Sequence, residues 1–155
     1  MESWAEKYRP KNLSEIIGNT RTITELKNWA ISWGGKMIKK GVILSGPPGC
    51  GKTSAAIALA NEMGWEIIEL NASDARSGNV IEGTALRAGL FQTFGEKGIS
   101  DRNLILLDEA DNLYERARQS KNKTKNYSDR GGKKAISKTL EQTKQPVIIT
   151  VNDLY

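Results

Sequence analysis

A chain of 155 residues suffices for one ordinary domain with a core of its own. The absence of histidine and a single cysteine, Cys50, exclude a disulfide framework, a His/Cys metal cluster and any nucleophile activated by histidine. The net charge of +5 is local: residues 115–134 hold eight basic and two acidic residues, leaving 15 of the 23 basic and 16 of the 18 acidic residues for the rest of the chain.

That basic stretch reads either as a solvated loop or as a contact with a phosphate backbone. No run of about 18 apolar residues occurs, and the N-terminus MESWAEKYRPKN is charged and lacks an apolar segment, so neither a membrane span nor a secretory signal is expected. The single thiol fits a reducing, cytoplasmic setting.

In chain order, Thr20 to Trp33 sets Ile23, Leu26, Ala30 and Trp33 on one helical face, with Trp29 near it, and predicts a helix packed against the domain. Gly41 to Ser45, GVILS, reads as a buried strand. The following GKTSAAIALANEMG predicts a helix starting near Lys52 and stopping at Gly64. Trp65 to Leu70 reads as a second strand, Val80 to Phe94 as a helix, and Asn103 to Glu109 as a third and most apolar strand. GGKKAISKTLEQT suggests a further helix before a fourth strand from Pro146 to Val151. Strands alternating with helix-length segments predict an α/β fold, a parallel sheet with flanking helices. The chain ends at Tyr155, four residues past the fourth strand, which reads as a domain cut short.

Between the first strand and its helix lies Gly46-Pro47-Pro48-Gly49-Cys50-Gly51-Lys52-Thr53, the pattern G-x-x-x-x-G-K-[ST] of a phosphate-binding loop. Glycines let successive N–H groups turn toward phosphate oxygens, and the helix adds its positive N-terminal end, where Ser54 follows. Lys52 would reach the β- and γ-phosphates, and the Thr53 hydroxyl would ligate Mg²⁺. Cys50 stands at a variable position of the loop and reads as a small filler. The third strand ends in Asp108-Glu109-Ala110-Asp111. A carboxylate there faces the crevice where parallel sheets bind ligands. Asp108 is expected in the Mg²⁺ shell and Glu109 as the base for an attacking water. Asn152, at the tip of the fourth strand, could hold that water from the opposite side.

Trp4-Ala-Glu-Lys-Tyr-Arg-Pro10, Ile16-Ile-Gly18, the phosphate loop, Glu69-Leu-Asn-Ala-Ser-Asp-Ala-Arg76, LLDEAD and Thr150-Val-Asn-Asp153 occur in that order. Together they resemble replication factor C, the sliding-clamp loader, and are most similar to its archaeal large subunit. The resemblance implies an AAA+ P-loop ATPase module over residues 1–155. Residues 1–20 would wrap the adenine through Tyr8, Arg9, Pro10, Ile17 and Gly18, and residues 41–155 would form an incomplete core, ending before a fifth strand and a helical lid. The family's box ends in glutamine where Asn19 stands. The resemblance further implies ATP and Mg²⁺ as cofactors, DNA contacts at Arg76, Lys133 and Lys134, and partnership with small subunits in a ring, a sliding clamp and primer–template DNA. Two alternatives stay open: a non-hydrolysing ATP-binding scaffold of a ring, and another AAA+ motor such as a branch-migration helicase. An isolated piece of such a ring should turn over little ATP, because a neighbour supplies the arginine that hydrolysis needs.

Overall fold

The computed structural model describes residues 4–33, 39–71, 102–111, 137–138 and 140–152. Four parallel strands, β1 (Gly41–Ser45), β2 (Glu66–Asn71), β3 (Asn103–Asp108) and β4 (Val147–Val151), form a sheet in the order β1-β4-β3-β2. The described helices are α1 (Trp4–Lys7), α2 (Thr20–Ser32) and α3 (Lys52–Met63), with a 3₁₀ turn at Leu13–Glu15. Residues 137–138 and 140–142 are also helical, within the segment for which a helix is expected. The expected helix from Val80 to Phe94 and the basic stretch 115–134 lie outside the described residues.

The two central strands explain the layering. Along β3, Leu104 and Leu106 face a core shared with Leu44, Leu59, Ile148 and the buried alanines of α3. Ile105 and Leu107 point to the other side, with Val147, Ile149, Val151 and Ala110. β3 and β4 are therefore buried on both faces, which is why both read as unbroken apolar runs. α3 presents Ala55, Ala56, Ala58, Leu59 and Ala60 to the sheet, and the small side chains admit a close approach. The helix expected at Thr20–Trp33 is α2, which buries Leu26 and Ala30 and packs Ile23, Trp29 and Trp33 against the same core.

Several boundaries differ by one residue from the sequence pattern: the second strand runs on to Asn71, the fourth starts at Val147, and two further shifts have a visible cause. Trp65, read as the start of the second strand, belongs to the end of α3. Gly64 takes the left-handed conformation at φ 68°, and the Trp65 N–H donates to Ala60 O at 2.9 Å, closing the helix as in a Schellman cap. The ladder starts one residue later, where Glu66 N donates to Arg102 O at 3.2 Å. The third strand stops at Asp108, because Glu109 turns into the left-handed region at φ 53°.

The N-terminal segment is pinned by one carboxylate. Leu13, 3% exposed, enters the core beside α3, and its N–H donates to Glu62 Oε2 at 3.1 Å. Lys27 of α2 donates to Glu62 Oε1 at 2.5 Å, so the Glu62 side chain ties the 3₁₀ turn, α2 and α3 together. The Lys27 hydrogen bond, then the Leu13 amide, hold its pKa below the ordinary 4.5. A depressed carboxylate stabilises the fold above its unfolded-state pKa and ceases to do so as pH falls through the folded one. Glu62→Gln should thus cost about 1 kcal/mol at pH 7. In denaturant titrations of both proteins the difference should shrink progressively below pH 4.5; an equal difference at pH 7 and in strong acid would contradict this account.

Candidate functional site

β1, β4 and β3 are neighbours and parallel, so their C-terminal ends open on one edge of the sheet. The phosphate-loop residues 46–51 leave β1 there and run straight into α3. Gly46 N donates to Val151 O at 3.3 Å, anchoring the loop to β4, and Cys50 N donates to Pro47 O at 3.3 Å to close its turn. Gly49 and Gly51 take φ of 79° and 93°, a backbone that side chains rarely adopt, and a Cβ at either would meet nothing within 4 Å. The loop's rim is therefore open. Gly51 caps α3, and the first N–H groups of this 12-residue helix face the same opening. Pro47, Pro48, Gly49 and Cys50 are exposed, while Thr53 and Ser54 are half-buried in the first turn.

Lys52 reaches back over the loop. Its ammonium has three donors, and Gly46 O at 2.6 Å, Pro47 O at 3.0 Å and Asn152 Oδ1 at 3.0 Å accept them. Cys50 Sγ stands 3.9 Å from the same nitrogen. Thr53 Oγ1 lies 3.1 Å from both Oδ1 and Oδ2 of Asp108. Hydroxyl and carboxylate oxygens at the mouth of an amide-lined loop form a hard-oxygen donor set, which suits Mg²⁺. The residues present thus fit a magnesium nucleotide. Among the described residues no group of three or more His, Cys, Asp or Glu side chains could hold a metal by itself.

Thr150 is a site residue that sequence reasoning missed. It is 2% exposed, its hydroxyl donates to Asp108 Oδ1, and its own Oγ1 accepts from Glu109 N at 3.0 Å. Its carbonyl accepts from Ala110 N at 2.9 Å. One threonine of β4 therefore orients the Asp108 carboxylate and holds the backbone of Glu109 in its left-handed conformation, which costs a non-glycine residue on the order of 1 kcal/mol or more. The signal available in the sequence was a threonine inside the otherwise apolar run PVIITV.

Asn152 is half-buried between Lys52 and Asp111, donating from Nδ2 to Asp111 Oδ2 at 3.1 Å. Lys52, Thr53, Asp108, Glu109 and Asn152 are thus brought to one place. Most of the expected adenine residues are exposed. Tyr8 and Ile17 are 67% and 99% exposed, Arg9 and Gly18 are exposed, Pro10 is half-buried, and among the described residues no hydrogen bond or ion pair joins them to the loop. Gly18 and Asn19 have φ of 88° and 50°, and the two left-handed residues turn the chain into α2. Asparagine tolerates that conformation better than most residues, which gives position 19 a backbone reason for its side chain. Arg76, Lys133 and Lys134 lie outside the described residues.

Comparisons with known proteins agree with this geometry. The family model described as "ATPase family associated with various cellular activities (AAA)" matches residues 42–154. The chain is 47% identical to the replication factor C large subunit of Methanothrix thermoacetophila, over its whole length and 30% of that protein. It is 47% identical to the same subunit of Methanosarcina mazei, over 98% of the chain and 23% of that protein. The chain therefore spans less than a third of the length of these relatives. Among solved structures, one described as "Structural Basis for Katanin Self-Assembly" superposes with a TM-score of 0.60 at 20% identity, over 91% of this chain and 46% of that one. Thermotoga maritima RuvB T158V superposes at 0.59 and 19%, over 93% and 41%. These two support the fold alone. No helix among the described residues is long and apolar enough to cross a membrane.

Thr150→Val removes both the donor to Asp108 and the acceptor of the Glu109 amide, and should cost about 1–3 kcal/mol of stability. Thr150→Ser, which keeps the hydroxyl, should cost less than half as much. Denaturant midpoints of the two variants decide; equal losses would mean that the methyl group rather than the hydroxyl matters.

Proposed function

The chain belongs to the AAA family of ATPases, and from that premise we propose that it binds ATP with Mg²⁺ as the nucleotide-binding part of a clamp-loader large subunit. Such a subunit helps to open a sliding clamp and to load it onto primer–template DNA. The likeness to archaeal replication factor C large subunits supports the biological setting. One observation carries the chemistry: Thr53 of the loop and Asp108 of β3 meet at 3.1 Å while Lys52 stands over the same opening.

On this reading the amides of residues 46–54 surround the phosphates. Lys52 exchanges the carbonyls of Gly46 and Pro47 for β- and γ-phosphate oxygens. Thr53 and Asp108 would hold Mg²⁺, which would supply positive charge against the phosphates. Glu109 accepts a proton from the water whose oxygen attacks the γ-phosphorus, and the bond to the bridging oxygen breaks, leaving ADP. Asn152 orients that water. Tyr8, Arg9, Pro10, Ile17 and Gly18 close on the adenine. Arg76, Lys133 and Lys134 follow the DNA backbone, an interaction that fades with salt and ignores sequence. ATP favours a ring state that opens the clamp and grips DNA, and it does so only by binding that state better than its alternative. The acid Glu109 favours a hydrolysing subunit over a scaffold that merely holds nucleotide.

The full chain, assembled with its small-subunit partners, tests the proposal. Lys52→Ala should abolish binding of a fluorescent ATP analogue. Glu109→Gln should retain binding and lower turnover by at least about 100-fold. Turnover should rise with clamp and primed DNA; an ATPase indifferent to both would remove the clamp-loader reading, and a Glu109→Gln protein cycling at the wild-type rate would remove the role of Glu109.

A further inference from the structure

A carboxamide has two ends of nearly the same shape and opposite chemistry, so its neighbours decide which end faces where. Asn152 has one decisive neighbour at each end. Lys52 Nζ, a pure donor, lies 3.0 Å from Oδ1. Asp111 Oδ2, a pure acceptor when ionised, lies 3.1 Å from Nδ2. The reverse orientation would set an NH₂ group against an ammonium and an oxygen against a carboxylate. Both neighbours therefore impose the same polarity.

The two neighbours differ in permanence. On the functional reading given above, a nucleotide draws Lys52 to its phosphates, while Asp111 keeps its bond to Nδ2 of Asn152. Asp111 sits three residues past Asp108 and is half-buried. One of its oxygens is engaged by Asn152; the other, Oδ1, is buried and has no hydrogen-bond partner among the described residues. A buried carboxylate oxygen left in that state is unfavourable, and native proteins hold few of them. Among the described residues, the contact that accounts for a carboxylate at 111 is the one with the amide of Asn152.

We propose that Asp111 is a positioning residue: by holding Nδ2 of Asn152 it keeps Oδ1 turned to the phosphate opening, so that Asn152 accepts a hydrogen bond from the attacking water and does not donate one to the γ-phosphate. The inference rests on the reading of the site as an ATPase. It adds the direction of one hydrogen bond and the residue that sets it.

An exchange of the two side chains separates polarity from mere packing. Asn152→Asp alone brings two carboxylates together. The double exchange Asp111→Asn/Asn152→Asp restores a donor at 111 facing an acceptor at 152, and again turns an oxygen to the opening. In the nucleotide-free full chain, Asn152→Asp should lower the thermal midpoint by about 2–4 °C, and the double exchange should recover most of that shift. With partners present, turnover of saturating ATP should fall at least about tenfold in Asn152→Asp and in Asp111→Ala. It should regain at least about tenfold in the double exchange, while Asp111→Asn, which keeps an acceptor, stays within about threefold of wild type, all with little change in affinity for a fluorescent ATP analogue.

Additive melting shifts would overturn the pairing. A double exchange that melts like wild type and binds the analogue, yet turns over as slowly as Asn152→Asp, would overturn the polarity, because the reaction would then need the NH₂ end. Wild-type turnover no faster than that of Lys52→Ala would instead overturn the ATPase reading, and the melting cycle would still decide whether Asp111 orients Asn152.

Discussion

Everything at this site depends on the adjacency of β1, β4 and β3 in parallel. Parallel pairing sends the C-terminal ends of all three strands to one edge. Burial on both faces then dictates what can stand along β3 and β4, because each apolar side chain in the double-faced core contributes about 1.5–3 kcal/mol and a bare polar group there would cost as much. Polar residues are displaced to the strand ends. Asp108 follows four buried aliphatic residues, Thr150 is the penultimate residue of β4, and Asn152 follows its end. The core thus explains why the charged and hydroxyl groups converge, before any ligand is considered.

The strands and the phosphate loop were legible because each is a local pattern: an apolar run of the right length, or a glycine spacing with a lysine and a threonine after it. The start of the second strand was not. Trp65 looks like a strand residue by type, but the left-handed Gly64 folds it back onto the last turn of α3, and capping decides the boundary. Thr150 and Asp111 were illegible for another reason. Their roles exist only across strand pairs separated by about forty residues, as in the Glu109–Thr150 and Asn152–Asp111 contacts. No spacing rule spans that distance. The residues assigned to adenine came from resemblance alone, and the exposure of Ile17 and Tyr8 gives them a surface that protein does not cover.

The backbone is strained at the turn after β3. Glu109, the proposed base, is one of only two described non-glycine residues with a positive φ. The strand ladder would carry its side chain along the sheet; the left-handed turn takes it off the ladder immediately after Asp108. Thr150 offsets the strain with its hydroxyl and its carbonyl, accepting from two successive amides. Because the same hydroxyl also donates to Asp108, the carboxylate at the strand end and the turn beyond it move together or not at all.

The polar side chains of the site are partnered with one another. Lys52 places its three donors on two loop carbonyls and on Asn152, and Thr53 donates to Asp108. An incoming phosphate would exchange with the bonds that Lys52 already makes to the loop carbonyls. The net gain of such an exchange is far smaller than the strength of each contact, since hydrogen bonds are traded rather than created. Affinity then follows from what the phosphates offer beyond the loop carbonyls, namely formal negative charge against an ammonium and a helix N-terminus. Lys52 is bonded to Asn152, Asn152 to Asp111, and Asp108 to both Thr53 and Thr150, so the loop is joined to the ends of β3 and β4 by direct hydrogen bonds. On the proposed reading, a phosphate that takes Lys52 from Asn152 would alter the first link of that chain, while the apolar core beneath holds the strand ends that carry the others.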